Sequence, residues 1–116
     1  MDTIRLHNIR VKCRIGVEEK ERRRRQTVVI NVILKCDLRQ AGHSDHLSDT
    51  VDYGSLYRSI RSEASQNRKR LLEGLAESLA VRCLDFSPMV ESAMISINKP
   101  RILPSADGAS IEITRP

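Results

Sequence analysis

A few side chains in this 116-residue sequence are of types that move protons or grip a polar ligand, and each also has a plainer explanation. Lys99 follows Ile95 and Ile97 at two-residue spacing, so it points the same way along a strand that Pro100 closes. Such a lysine either snorkels to water or, partly desolvated, serves as an acid or base near neutral pH. Glu73 opens the second of two helical stretches, where the helix dipole alone favours a carboxylate. The same carboxylate, beside the free N–H groups of a first turn, can also bind a guanidine-like edge. Tyr53, directly after Thr50-Val51-Asp52, is either a core aromatic with one satisfied hydroxyl or a proton donor and stacking surface. Glu21 precedes four arginines at 22–25, a run that is either solvated or faces a phosphate. His43 and His46, in AGHSDHLSD, lack a third ligand of matching type, so a metal site there is weakly supported. There is no glycine-rich phosphate loop and no CxxC pair.

The elements that must position these residues follow from periodicity. Residues 3–15 read as a strand whose alternation, Ile4 and Leu6, resumes on the opposite parity at Ile9, Val11, Cys13 and Ile15, which predicts a bulge near His7 and Asn8. Residues 16–25 have no apolar period and form a connection. Residues 27–38 are the clearest strand, with Val28, Ile30, Val32, Leu34 and Cys36 on one face. Val29 and Ile33 make its other face partly apolar, which an antiparallel sheet with a wet face does not need and which points to packing against another subunit. Residues 39–52 are polar and turn-like. Tyr53, Leu56, Ile60 and Ala64 then fall at helical spacing, SQNRKR at 65–70 interrupts, and Leu72, Leu75, Ala76, Leu79, Cys83 and Leu84 form a second helical stripe from about residue 71. Residues 90–99 return to a strand, 101–108 form a loop, and Ala109, Ile111 and Ile113 give a last short strand. The order β-β-α-α-β-β implies a single α+β domain over 1–116, an antiparallel sheet with two helices on one face.

Composition narrows the function classes. Charged residues are 30% and hydrophobic residues 40%, which fits a globular domain. No apolar run reaches bilayer length, and MDTIRLHNIR has no signal core, so a cytoplasmic protein is expected. Three cysteines without a CxxC pair suggest reduced core thiols and no zinc site. The net charge of +5 invites a nucleic-acid or phosphate partner, but with no Trp, two Tyr and one Phe there is little base-stacking surface, so nucleic acid is not the expected partner.

Four segments in this order, IGVEEKERRRRQ at 15–26, DLRQAGHSDHLSDTVDYGSL at 37–56, LLEGLAESLA at 71–80 and INKPRILPSADGASIEI at 97–113, resemble the dihydroneopterin aldolase family over nearly the whole chain. The resemblance implies the tunnelling fold (T-fold), in which four subunits close their sheets into a ring and two rings usually stack as an octamer, with sites shared between neighbours. It implies a pterin substrate, no cofactor and no metal. Residue by residue, Glu73 matches the glutamate that anchors the pterin, with the main chain around Leu72 beside it. Tyr53 matches the tyrosine supplied by the adjacent subunit, Val51 and Asp52 the segment whose main chain meets the pterin edge, and Lys99 the catalytic lysine. Glu21 matches an acidic residue near the substrate side chain, and Val17 falls in the same substrate-binding segment. The implied reaction is retro-aldol cleavage of 7,8-dihydroneopterin in folate biosynthesis. A sister family, dihydroneopterin triphosphate 2′-epimerase, shares the look of residues 15–26, and a triphosphate would welcome the arginines at 22–25.

Overall fold

The computed structural model describes residues 1–100 and 103–116. The long alternating run sits inside the sheet: in β2 (Gln26–Cys36), Val28, Ile30, Val32, Leu34 and Cys36 are all buried, while Val29 and Ile33 on the opposite face are half-buried. β2 pairs with β1 (Asp2–Cys13) on one side and with β3 (Ser92–Pro100) on the other, and β4 (Gly108–Arg115) pairs with β3. All pairs are antiparallel, in the order β1-β2-β3-β4. The register aligns apolar residues across the strands: Ile9 with Ile30, Ile30 with Ile97, and Ile97 with Ile111. One face of the sheet is therefore continuously apolar.

The expected break in β1 is present between Leu6 and Ile9. Asn8 there adopts a left-handed φ of 52°, and its N–H donates to Asn31 Oδ1 at 2.9 Å. That single irregularity reconciles the two parities of the strand's apolar residues. Beyond it, the carbonyls at 10, 12 and 14 are occupied by side chains. Arg61 donates to Arg10 O (2.6 Å), Arg25 to Lys12 O (3.1 Å) and Asn67 to Arg14 O (3.0 Å).

Two long helices cover the apolar face. α3 (Tyr53–Ser65) buries Leu56, Ile60 and Ala64 against β1, and α4 (Leu72–Phe86) buries Leu75, Ala76, Leu79, Ala80 and Cys83 against β3 and β4. Two short helices depart from the sequence expectation: α1 (Glu19–Arg22) inside the 16–25 connection and α2 (Arg39–Ser44), followed by a 3-10 turn at Leu47–Asp49, inside the polar 39–52 stretch. Four and six residues are too few to carry a helical period, and neither helix buries a residue. α1 is instead defined by a capping box between Glu18 and Glu21. Ile15, expected in the first strand, lies just past the end of β1 yet is buried. Of the loop expected over 101–108, residues 101 and 102 lie outside the described residues. Its last residue, Gly108, already belongs to β4 and has φ +147°, and a Cβ there would sit 2.9 Å from Lys99 O.

The sheet has two distinct ends. Cys13, Gln26, Pro100 and Gly108 lie at one. The last residue of α3 reaches it, since Arg25 donates to Ser65 O at 3.3 Å, and so does the approach to α4, since Gly16 N–H donates to Arg70 O at 3.0 Å. The first residue of α3 points to the other end. Leu79 is fully buried at the centre of the helix–sheet interface. Leu79→Ala is expected to destabilise the fold by about 2–5 kcal/mol, read as a lowered urea midpoint at unchanged m-value.

Candidate functional site

At the Pro100 end of the sheet an amine and a carboxylate meet. Lys99 continues the inward parity of Ile95 and Ile97 and is 7% exposed. Its Nζ lies 3.1 Å from Glu21 Oε2. The other carboxylate oxygen accepts the N–H of Glu18 at 3.3 Å. Hydrogen bonding from the Lys99 ammonium, then from the Glu18 amide, holds the Glu21 carboxyl below its ordinary range, and partial burial opposes this only in part.

The local sequence explains why Glu21 reaches that spot. Gly16 has φ +146°, and a Cβ on it would lie 2.5 Å from Glu21 Cβ, so only glycine lets the glutamate fold back across the loop. Arg22 donates to the carbonyls of Gly16 and Val17, each at 2.9 Å. Gln26 donates to Ile15 O (2.8 Å) and Glu21 O (3.1 Å). Thus Gly16, Arg22 and Gln26, which the sequence reading did not single out as positioning residues, brace the acid. The only signal for them was a glycine and a glutamine at the two ends of a charged segment. Glu21 also lines a cavity of about 270 Å³ with Lys20, Arg24 and Gln26.

Glu73 is exposed in the first turn of α4, directly after Leu72. No side chain caps the start of that helix, where Leu71 is the N-cap residue. The Gly16–Arg70 bond ties this turn to the loop that carries Val17 and Glu21. Lys99, Glu21, Val17, Leu72 and Glu73 therefore share one end of the sheet. Val17 is exposed there.

The remaining expected residues are elsewhere. Val51 is buried, and Tyr53, 61% exposed, begins α3. A 13-residue helix is about 20 Å long at 1.5 Å per residue, so α3 separates Tyr53 from the Lys99 end. The Asp52 side chain is engaged as the α3 cap: Oδ1 accepts Ser55 N–H at 3.1 Å and Oδ2 accepts the Ser55 hydroxyl at 2.9 Å. Those bonds, the amide first, hold its carboxyl below the usual range. His43 and His46 are exposed, and nearby Asp49 is taken up by Ser44 (2.6 Å) and Gln40 (3.2 Å). Among the described residues no helix is long and apolar enough to cross a membrane.

Comparison with known proteins gives one family. The family model described as FolB, dihydroneopterin aldolase, matches residues 4–114. The chain is 37% identical to dihydroneopterin aldolase of Methylorubrum extorquens, over 98% of this chain and 89% of that one. It is 31% identical to dihydroneopterin triphosphate 2′-epimerase of Escherichia coli, over 96% and 92%. Among solved structures, E. coli dihydroneopterin aldolase in complex with neopterin superposes with a TM-score of 0.94 at 26% identity, over all of both chains. The Burkholderia thailendensis dihydroneopterin aldolase bound to guanine gives 0.83 at 28% identity, over 98% and 89%.

The Glu21 pairing has a pH signature. Unfolded, the carboxyl titrates near 4.5, and folded it titrates lower, so the pair's contribution is present above 4.5 and lost as pH falls through the folded value. Urea midpoints measured across that acidic range should fall less steeply for Glu21→Gln than for the wild type. A residual slope from Asp52, shifted the same way, should disappear when Asp52→Asn is added.

Proposed function

The chain belongs to the dihydroneopterin aldolase family, and from that membership we propose that it cleaves 7,8-dihydroneopterin by a retro-aldol reaction. The products are 6-hydroxymethyl-7,8-dihydropterin and glycolaldehyde, a step of folate biosynthesis. The observation that carries the reading is the nearly buried Lys99 amine held 3.1 Å from the Glu21 carboxylate at an open end of the sheet. It sets a proton donor beside an acceptor where a substrate side chain can enter.

In this reaction Lys99, once its ammonium has passed a proton to the adjoining Glu21 carboxylate, takes the proton of the side-chain hydroxyl, directly or through a water. The carbon–carbon bond to the departing glycolaldehyde breaks, and its electron pair flows into the dihydropterin ring. The ring is its own electron sink, so the step needs neither a Schiff base nor a metal. Tyr53 then helps protonate the enol-like intermediate. Glu73 anchors the heterocycle through its N3–H and 2-amino group, with the main chain near Leu72 beside it. Neopterin and guanine, the ligands of the two solved relatives, share a 2-aminopyrimidinone edge of the kind such a carboxylate reads.

Tyr53, Val51 and Asp52 complete the pocket from a second copy, because α3 holds them about 20 Å from Lys99 within one chain. A homo-oligomer, a four-membered ring or a stacked pair of rings, supplies that neighbour. Its support is the half-buried apolar second face of the sheet, with Val29, Ile33 and Met94. Three free, buried cysteines suit action in the cytoplasm.

Purified protein given dihydroneopterin should release glycolaldehyde. If it acts on the triphosphate with retention of the aldehyde instead, the epimerase reading of the E. coli relative replaces this one. Lys99→Ala should lose about 10²–10⁴-fold in turnover while binding dihydropterin as the wild type does, and equal turnover rejects the role. Glu73→Ala should weaken pterin binding about 10–100-fold by calorimetric titration, and unchanged affinity removes it from the anchor.

A further inference from the structure

Behind the loop that carries Glu21 lies a second cavity, of about 370 Å³, whose lining includes Arg14, Arg22, Arg25 and Arg68 together with Ser65 and Asn67. Neither Lys99 nor Glu21 lines it. The volume suits a small ligand. No carboxylate is in the lining, and among the described residues the salt bridges involve Arg23, Arg82, Lys99 and Arg115 and none of these four arginines. Four positive groups around one small space repel each other, and an anion would offset that cost.

Three of the guanidinium groups are fixed in place. Arg14 donates through Nη1 to the carbonyls of Arg22 (3.1 Å) and Arg23, Arg22 to those of Gly16 and Val17, and Arg25 to those of Lys12 and Ser65. Each uses one nitrogen this way, and a guanidinium carries five N–H donors in a planar fork, so donors remain for a ligand. The fourth is set by a turn. Asn67 donates to Arg14 O and Lys69 O and accepts the Lys69 N–H, all at 3.0 Å, which pins the backbone on both sides of Arg68. Bracing of the loop explains the positions of Arg14, Arg22 and Arg25. It explains neither Arg68 nor the missing acid.

We propose that the Arg14–Arg22–Arg25–Arg68 cavity binds a polyphosphate-type oxyanion. The fixed forks supply planar donors to phosphate oxygens, and little ordering cost remains to be met on binding. Because Arg22 also holds the carbonyls of Gly16 and Val17, the anion sits against the back of the segment whose front carries the Lys99–Glu21 pair.

The test is calorimetric titration of the full chain with inorganic triphosphate at constant ionic strength. Saturable binding is expected, weakened about tenfold in Arg68→Gln and unchanged in Arg39→Gln, which alters an exposed arginine at the far end of the sheet. Arg68 is exposed, so its replacement leaves the fold intact, checked by circular dichroism. A second arm identifies the source of the anion. A tighter affinity for dihydroneopterin triphosphate than for dihydroneopterin, lost in Arg68→Gln, places the phosphates on a substrate. Equal affinities of the two leave a free anion as the ligand, and both results keep the site. Absence of saturable binding overturns the proposal, as does equal weakening by Arg39→Gln. So does Arg68-dependent binding of a short DNA duplex with none of triphosphate.

Discussion

A lysine amine at the end of an apolar strand is costly to bury, and what makes it tolerable here is one carboxylate 78 positions earlier in the chain. Much of the local architecture serves that meeting. The parity of β3 turns Lys99 inward. The left-handed φ at Gly16 clears room for Glu21, the α1 capping box fixes the glutamate's second oxygen, and Arg22 and Gln26 hold the loop ends. Removing Glu21 would leave the nearly buried Lys99 amine without its partner. The pair is thus a structural requirement of this corner.

The molecule is also polar in a geometric sense. One end presents Lys99, Glu21, Leu72 and Glu73, and the other presents Val51, Asp52 and Tyr53. A helix as long as α3 is rigid, so no rearrangement within one chain brings the two sets together. This separation is the reason the pocket proposed above draws on two copies. The same rigidity makes the position of the tyrosine dependable once a neighbour is in place.

Much of this was legible in the residues. β2, α3 and α4 are long enough for their periods to be counted, and the phase shift at His7 and Asn8 announced the bulge that the structure has. The inward direction of Lys99 followed from Ile95 and Ile97. The partner of Lys99 did not follow, because a contact across 78 positions leaves no periodic trace. α1 and α2 were missed for a related reason, being made by caps and turns with no apolar face. The arginines at 22–25 read as a solvated or phosphate-facing run. In fact Arg22 and Arg25 spend donors on carbonyls of their own chain, a use that charge counting has no means to register.

The carbonyls at 10, 12 and 14 are where this chain's outermost strand would otherwise invite a stranger. Arg61, Arg25 and Asn67 already fill those acceptors. An extended segment seeking to zip onto this half of the edge would have to evict two guanidinium groups and an amide, then find room for their charge. Unregulated growth into open-ended fibres is blocked there by the cost of that eviction, and any orderly lateral union must use the other stretches of the rim.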